Sequence, residues 1–153
     1  RGSGWAALFA LTAALVMRPL HALLPVDMRW RRAFGLASFV AAFVHVLVSI
    51  TQSLDGAFSV LWTWPAYRAG ALAFLVLVFL AFTSFATTIR SARIREWRPL
   101  HRLVFFAFFV ACIHASMMPS TPMLALGIAA LFVGLGVFWR VGDFLHRQMQ
   151  KNS

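Results

Sequence analysis

The side chains of this sequence best suited to chemistry are its histidines, because four of the five fall within or beside long apolar stretches. His45 lies in the stretch FVHVL and His114 in the stretch ACIHA, while His21 and His101 flank other apolar stretches. An ionisable side chain inside a membrane is costly and marks a functional site by default. A neutral imidazole also offers a nitrogen lone pair to a metal. These four residues are therefore candidates for binding a metal or a metal cofactor.

The spacing of two of these histidines predicts a shared depth in a membrane. His45 lies 13 residues after Arg32, and His114 lies 12 residues after Arg102. At 1.5 Å per residue, both imidazoles would lie roughly 18–20 Å from the basic ends of their helices. Two neutral imidazoles at one depth on parallel helices can bind haem iron from opposite faces. His45 and His114 are therefore predicted to be the axial ligands of one haem.

A second level is predicted for His101, which comes 13 residues before His114 and therefore lies roughly 20 Å lower. A second haem there would use His101 as an iron ligand, with His21 at a similar depth as its partner. A rotation of about 220° between His101 and His114 requires a helix tilt or a distinct haem position. Other roles stay open: a membrane histidine can hydrogen-bond a neighbouring helix, His101 can pair with lipid phosphate or Glu96, and His21 can be an ordinary loop residue.

The composition indicates which elements must position these histidines. Of the 153 residues, 61% are hydrophobic and 12% are charged, with 16 Phe and 6 Trp. Soluble domains are typically about 45–50% apolar and about 25% charged, and disordered chains are poor in aromatic residues. The chain is therefore predicted to be an all-α integral membrane helical bundle, and a soluble enzyme domain is disfavoured.

Charged residues and prolines divide the chain into five apolar segments. Helices are expected at residues 4–17, 32–52, 66–89, 99–118 and 122–142. The first is expected to end before Arg18-Pro19, and the segment Pro119-Ser120-Thr121-Pro122 separates the last two, because two prolines within four residues end a helix. The expected domain covers residues 4–142, followed by a cytoplasmic tail at residues 143–153.

The basic residues predict the orientation of these helices. With five helices, 12 of the 14 Lys and Arg residues fall on one side. The positive-inside rule makes that side cytoplasmic, with the C-terminus inside and the N-terminus outside. A first helix that enters from outside without a leader suggests a sixth helix upstream. The net charge of +10 then encodes topology. Membrane lipids are expected partners and nucleic acid is not, although the run from Arg90 to Arg102 could bind acidic lipid or nucleic acid.

Other kinds of site receive little support from the sequence. The apolar segments contain no pair of carboxylates, and the chain has no glycine-rich phosphate loop. Cys112, the single cysteine, is expected to be a small core residue. Gly127, Gly134 and Gly136 favour close packing of the last helix. No catalytic residue is predicted.

Residue blocks around the histidines carry a family resemblance. They are Arg18-Pro19-Leu20; Arg31-Arg32 with Gly35-Leu36 and Phe39 before His45; Pro65, Gly70 and Leu80-Ala81-Phe82-Thr83-Ser84; and Trp97 with Leu100-His101-Arg102-Leu103-Val104 before His114. Over about Gly4–Trp139, the sequence resembles the ferric-reductase-like transmembrane family, and within it the haem-binding membrane subunits of bacterial methionine-sulfoxide reductase systems. The resemblance implies a six-helix b-type haem protein whose haem histidines map onto His45, His101 and His114.

The function that this resemblance implies is electron transfer across the bacterial inner membrane through one or two haem b groups. Electrons would come from a cytoplasmic flavin reductase, bound FMN or the quinone pool, and would pass to a periplasmic molybdenum-containing reductase that repairs oxidised methionine. The alternatives are a ferric iron or oxygen reductase working with a separate NAD(P)H-flavin module, and a non-redox membrane protein with structural histidines. Four arginines could neutralise haem propionates or dock a reductase: Arg31, Arg32, Arg98 and Arg102.

Overall fold

Five α-helices account for most of the chain that the computed structural model describes, which is residues 2–25, 27, 29–53, 59, 63–84, 101–118 and 123–151. They are α1 (Gly2–Leu23), α2 (Arg29–Val48), α3 (Pro65–Thr83), α4 (Leu103–Ser116) and α5 (Met123–Lys151), and a π-helical segment, Ser49–Ser53, continues α2. The described residues contain no β-strand. The predicted all-α architecture is confirmed.

Local chemistry explains where two of these helices begin. The carboxylate of Asp27 accepts a hydrogen bond of 2.8 Å from the backbone N–H of Arg29, which satisfies one free donor in the first turn of α2. Pro65 opens α3, where its fixed φ suits the first helical position and its missing N–H removes no helical hydrogen bond.

The helices present apolar surfaces to their surroundings. The described residues contain three helical segments long and apolar enough to cross a membrane: Gly2–His21, Arg29–Gln52 and Pro65–Thr83. Two shorter apolar helical segments, Leu103–Ser116 and Leu126–Phe138, accompany them. Large apolar side chains lie on the outside, among them Phe138 at 78% exposure. Such a surface suits lipid, and it would be a liability in water.

The core of the bundle lies along α1. This helix packs most extensively against α2 and also contacts α4 and α5, while α3 packs mainly against α4. Ser38 of α2 is completely buried, and its hydroxyl donates a 2.9 Å hydrogen bond to the carbonyl oxygen of Ala7 in α1. Small side chains and interhelical hydrogen bonds are what hold membrane helices together, because lipid supplies no hydrophobic drive for their association. This close pairing fixes the position of His45 against the first turn of α1.

Several helix boundaries differ from the prediction. The expected end of the first helix before Arg18 is wrong, because α1 continues through Pro19 to Leu23. The proline removes only one backbone donor, its ring lies against Gly136 of α5, and the N–H of Leu24 still reaches the carbonyl oxygen of Leu20 at 2.8 Å.

The last helix also runs further than expected, to Lys151 rather than residue 142. The polar residues after Gly142 are mostly adequate helix formers, so nothing there stops the helix. The third helix, α3, is described as helical to Thr83, whereas the predicted helix runs to residue 89. The basic segment containing Arg90, Glu96 and Arg98, and the predicted turn at residues 119–122, lie outside the described residues.

Candidate functional site

Two histidines predicted to share a depth face each other in the structure. His45 of α2 and His114 of α4 are both half-buried, with ring centroids 6.3 Å apart and ring planes at 64°. An imidazole nitrogen binds a transition metal at about 2 Å and lies about 1.2 Å from its ring centre, so one metal between two imidazoles separates the ring centres by roughly 6 Å. The observed spacing therefore fits two imidazoles on opposite sides of one metal ion.

The ring of His114 is held by the first turns of α3. Its Nδ1 lies 2.8 Å from the carbonyl oxygen of Ala66. A carbonyl oxygen only accepts hydrogen bonds, so Nδ1 carries the proton and donates it. The lone pair of the neutral ring is then on Nε2, which is the usual arrangement for a histidine that binds a metal through one nitrogen and a backbone carbonyl through the other.

Gly70 and the carbonyl of Ala66 together form the contact surface for the His114 ring, which we call its seat. A Cβ atom built on Gly70 would lie 2.9 Å from both Cε1 and Nδ1 of the His114 ring, closer than real Cβ contacts allow. The absence of a side chain at Gly70 therefore gives the imidazole its place against α3. The sequence resemblance included Gly70, but it gave no reason for the glycine.

The ring of His45 has a similar but looser seat on α1. Its Nδ1 lies 3.5 Å from the hydroxyl oxygen of Ser3. A Cβ atom on Gly4 would lie 3.1–3.3 Å from three atoms of the ring. Sequence reasoning missed Ser3, Gly4 and Ala66, because their roles depend on which helix faces which. The only available signal was a glycine within an otherwise apolar helix.

An aromatic cluster lies beside this pair of histidines, towards the basic end of α2. Phe39 and Phe74 stack with ring centroids 6.3 Å apart and planes at 9°, and Phe43 lies 6.3 Å from each of them. Phe39 and Phe43 precede His45 on α2, and Phe74 follows Gly70 by one turn on α3. The cluster therefore places apolar rings within about two turns of His45 along α2 and one turn of Gly70 along α3, and apolar surroundings are what a porphyrin edge requires.

His101 lies at the opposite end of the bundle, in the turn before α4. It borders a cavity of about 200 Å³ between α1, α2, α3 and α4, and its Nδ1 is shielded from solvent. Burial, followed by the positive charge of Arg31, lowers the pKa of this imidazole. The other polar lining residues are Arg32 and Ser84, and the remaining walls are mostly apolar. The cavity thus combines a cationic rim with an apolar interior.

The other predicted site residues lie in different places and differ in their exposure. His21 lies exposed in the last turn of α1 and is not among the residues that line the His101 cavity. Arg31 and Arg32 border that cavity, and Arg102 is exposed. Arg98 is outside the described residues. Cys112 is half-buried near His114, as a core residue would be.

The available protein ligands favour a haem over a bare metal ion. Within the described ranges, no three His, Cys, Asp or Glu side chains come together to hold a metal. Two facing imidazoles provide only two ligands, whereas the porphyrin nitrogens of a haem supply four more. The residues present therefore fit a haem with iron between His45 and His114.

Comparison with known proteins gives a consistent result. A family model described as "Ferric reductase like transmembrane component" matches residues 3–112, which include His45 and His101. The chain is 30% identical over 92% of its length to the protein-methionine-sulfoxide reductase heme-binding subunit MsrQ of Azospira oryzae, and covers 64% of that protein. It is 32% identical over 90% of its length to the MsrQ protein of Cronobacter sakazakii, covering 76% of it.

A third relative differs in its overall size. The magnetosome protein MamZ of Magnetospirillum gryphiswaldense is 32% identical over 72% of this chain, but the match covers only 18% of MamZ. The chain also spans less than two thirds of the Azospira oryzae relative. No solved structure matches the chain significantly.

Proposed function

This chain belongs to the family of ferric reductase like transmembrane components, and we propose that it is the haem-binding membrane part of an electron-transfer system. The observation that carries this proposal is the pair His45 and His114, with ring centroids 6.3 Å apart. In our proposal each ring uses Nδ1 on the protein and Nε2 on haem iron. Bound haem would supply one-electron chemistry that no side chain of the site offers.

The protein's own residues would hold and shield that group. The carbonyl of Ala66 orients His114, and the small residues Gly4 and Gly70 give both rings room. The cluster of Phe39, Phe43 and Phe74 would exclude water from the side of the porphyrin. A low-dielectric surrounding of this kind is one of the means by which a protein tunes a haem.

The direction of electron flow follows from the orientation that the basic residues predict. We place the C-terminus and the cavity of His101, Arg31 and Arg32 on the cytoplasmic side of the bacterial inner membrane. Electrons from a flavin reductase, FMN or the quinone pool would enter at that level, with His101 serving an inner haem b or the entry step. His21 remains a candidate second ligand there. The haem at His45 and His114 would deliver electrons to the periplasmic face.

The proposed acceptor is a periplasmic molybdenum-containing reductase that repairs oxidised methionine. Two relatives named as heme-binding subunits of protein-methionine-sulfoxide reductase support this acceptor. The family description favours ferric iron as the second candidate acceptor. Reoxidation of the reduced haem by each acceptor, measured side by side in proteoliposomes, separates the two.

The proposal is tested by the absorption spectrum of the purified protein. We expect a Soret band and a low-spin six-coordinate spectrum in the wild type. His45→Ala and His114→Ala should each remove the low-spin signal of the haem held between these two residues, because each removes one axial ligand. His146→Ala, near the C-terminal end of α5, is the matched control and should leave the spectrum unchanged. A wild-type low-spin signal in both histidine variants would refute this ligand assignment.

A further inference from the structure

The two histidines are held by the protein with unequal firmness. We propose that His114 is the fixed ligand and His45 the exchangeable ligand, so that a small neutral molecule such as carbon monoxide reaches the iron by displacing His45. The inference rests on the proposed function, since it concerns the same haem. It goes further by assigning a second binding activity to the site and by naming the side on which it occurs.

The first observation is the difference between the two Nδ1 contacts. His114 donates to a backbone carbonyl at 2.8 Å, and a carbonyl fixes both the tautomer and the plane of the ring. His45 meets the Ser3 hydroxyl at 3.5 Å, the outer limit of hydrogen bonding. A hydroxyl rotates and can either donate or accept, so it fixes neither.

The second observation is the steric seat of each ring. The His114 ring is so close to Gly70 that a Cβ atom there would lie 2.9 Å from it, whereas the corresponding distances at Gly4 and His45 are 3.1–3.3 Å. Close packing transmits force to the ring and leaves it fewer positions. Both contacts of His114 are therefore tighter than both contacts of His45.

The third observation concerns the backbone that carries His45. The π-helical segment begins at Ser49, whose N–H would bond to the carbonyl of His45 in a continuous α-helix. The helical hydrogen-bond pattern thus changes at the turn that follows His45, and such π segments occur frequently at functional sites.

These observations together define the exchange. With haem bound, the exchange would break the bond between iron and Nε2 of His45 and would form a bond between iron and the carbon of carbon monoxide. One lone-pair donor replaces another, so the oxidation state of the iron does not change. His114 stays bound throughout, because α3 holds its ring from behind.

Haem retention in the two alanine variants tests this asymmetry. We expect His45→Ala to keep haem through His114 and to bind carbon monoxide at once after reduction with dithionite. His114→Ala should retain haem about tenfold less well, the effect typical of losing a well-oriented metal ligand shell. Equal haem retention by the two variants, or better retention by His114→Ala, would overturn the inference. A wild-type amount of low-spin haem in both variants would instead overturn the proposed function.

A milder substitution keeps the test independent of folding defects. Ser3→Ala removes the hydrogen-bond contact described for the His45 side chain, and because that contact lies at the outer limit of hydrogen bonding we expect the rate of carbon monoxide association with the reduced protein to change by less than about twofold. The matched control is Ser116→Ala, because Ser116 is an exposed serine two residues beyond His114 whose hydroxyl bonds only to its own helix. An acceleration of about tenfold in Ser3→Ala with none in the control would show that Ser3 is a well-oriented partner that holds His45 firmly, and would contradict the asymmetry.

Discussion

Replacing Gly70 with alanine is the most direct way to disturb the seat of His114. The added Cβ would lie 2.9 Å from two atoms of the His114 ring, about 0.5 Å short of ordinary contact at 3.4 Å. The neighbouring atoms belong to a ring and not to the far end of a flexible chain. The ring must therefore move, and its 2.8 Å hydrogen bond to the carbonyl of Ala66 must lengthen.

The size of the effect follows from three contributions. Overpacking a buried site typically costs about 1–3 kcal/mol, and a weakened hydrogen bond costs about 0.5–1.5 kcal/mol. The better helix propensity of alanine offsets about 1 kcal/mol of this loss. We expect the free energy of unfolding of the haem-free protein to fall by about 0.5–3.5 kcal/mol, and haem affinity to fall about tenfold because the ligand is misaligned.

The assay is a haem titration followed by Soret absorbance, with thermal unfolding of the haem-free protein measured in parallel. Gly134→Ala is the matched control, because a Cβ on Gly134 would meet nothing within 4 Å. Gly4→Ala should fall between the two, since its Cβ would lie 3.1–3.3 Å from the ring of His45. If Gly70→Ala binds haem as tightly as Gly134→Ala does, the seat of His114 does not contribute to haem binding and the reasoning fails.

Three further substitutions test the bundle and its second level. Ser38→Ala removes the buried hydrogen bond to Ala7 and should lower the free energy of unfolding in detergent by about 0.6 kcal/mol, the average for such bonds in membranes; an unchanged midpoint would contradict this. If His101 binds an inner haem, His101→Ala should lower the haem-to-protein ratio by one in a pyridine haemochrome assay while the low-spin signal of the haem at His45 and His114 persists. A ratio that is the same in wild type and variant would refute an inner haem at His101. Gly136→Ala would place a Cβ 3.2 Å from the Pro19 ring and should destabilise the protein by about 1 kcal/mol, measured by thermal unfolding; a gain in stability would show that α5 is not held against α1 there.

The approximate positions of the helices along the chain were predictable, because charged residues bound the segments that are apolar enough for lipid. The helices that begin at Arg29 and Pro65 were predicted to begin at residues 32 and 66. Pro19 misled the prediction because the penalty for a proline depends on the packing around it, which in this protein includes Gly136 of another helix. The extension of α5 beyond Gly142 was missed for a simpler reason, since no charge or proline rule applies to a polar helix that continues.

The pairing of His45 and His114 was predictable because depth along a helix is a one-dimensional quantity. Counting residues from the basic end gives the height of each side chain at 1.5 Å per residue. The seats of the rings are a matter of helix rotation and pairing, so Ser3, Gly4 and Ala66 could not be found by counting. Depth alone also suggested His21 as the partner of His101, and the cavity beside His101 does not include His21 among its lining residues.

If the two histidines were hydrogen-bonded to each other in a purely structural role, their ring centres would be closer together. A direct hydrogen bond between two imidazoles would bring their ring centres to about 5 Å, since the nitrogens would be about 2.9 Å apart. The observed 6.3 Å is too long for that bond, although edge-to-face packing of rings spans about 4.5–7 Å. The distance between the rings therefore does not distinguish packing from ligation, but the response of the protein to haem does.

If the rings are ligands, haem at 100 times its dissociation constant should stabilise the wild type by about 2.7 kcal/mol. The double variant His45→Ala, His114→Ala should gain about 2.7 kcal/mol less than the wild type does. Equal stabilisation of the two proteins by haem would leave the pair with a packing role alone.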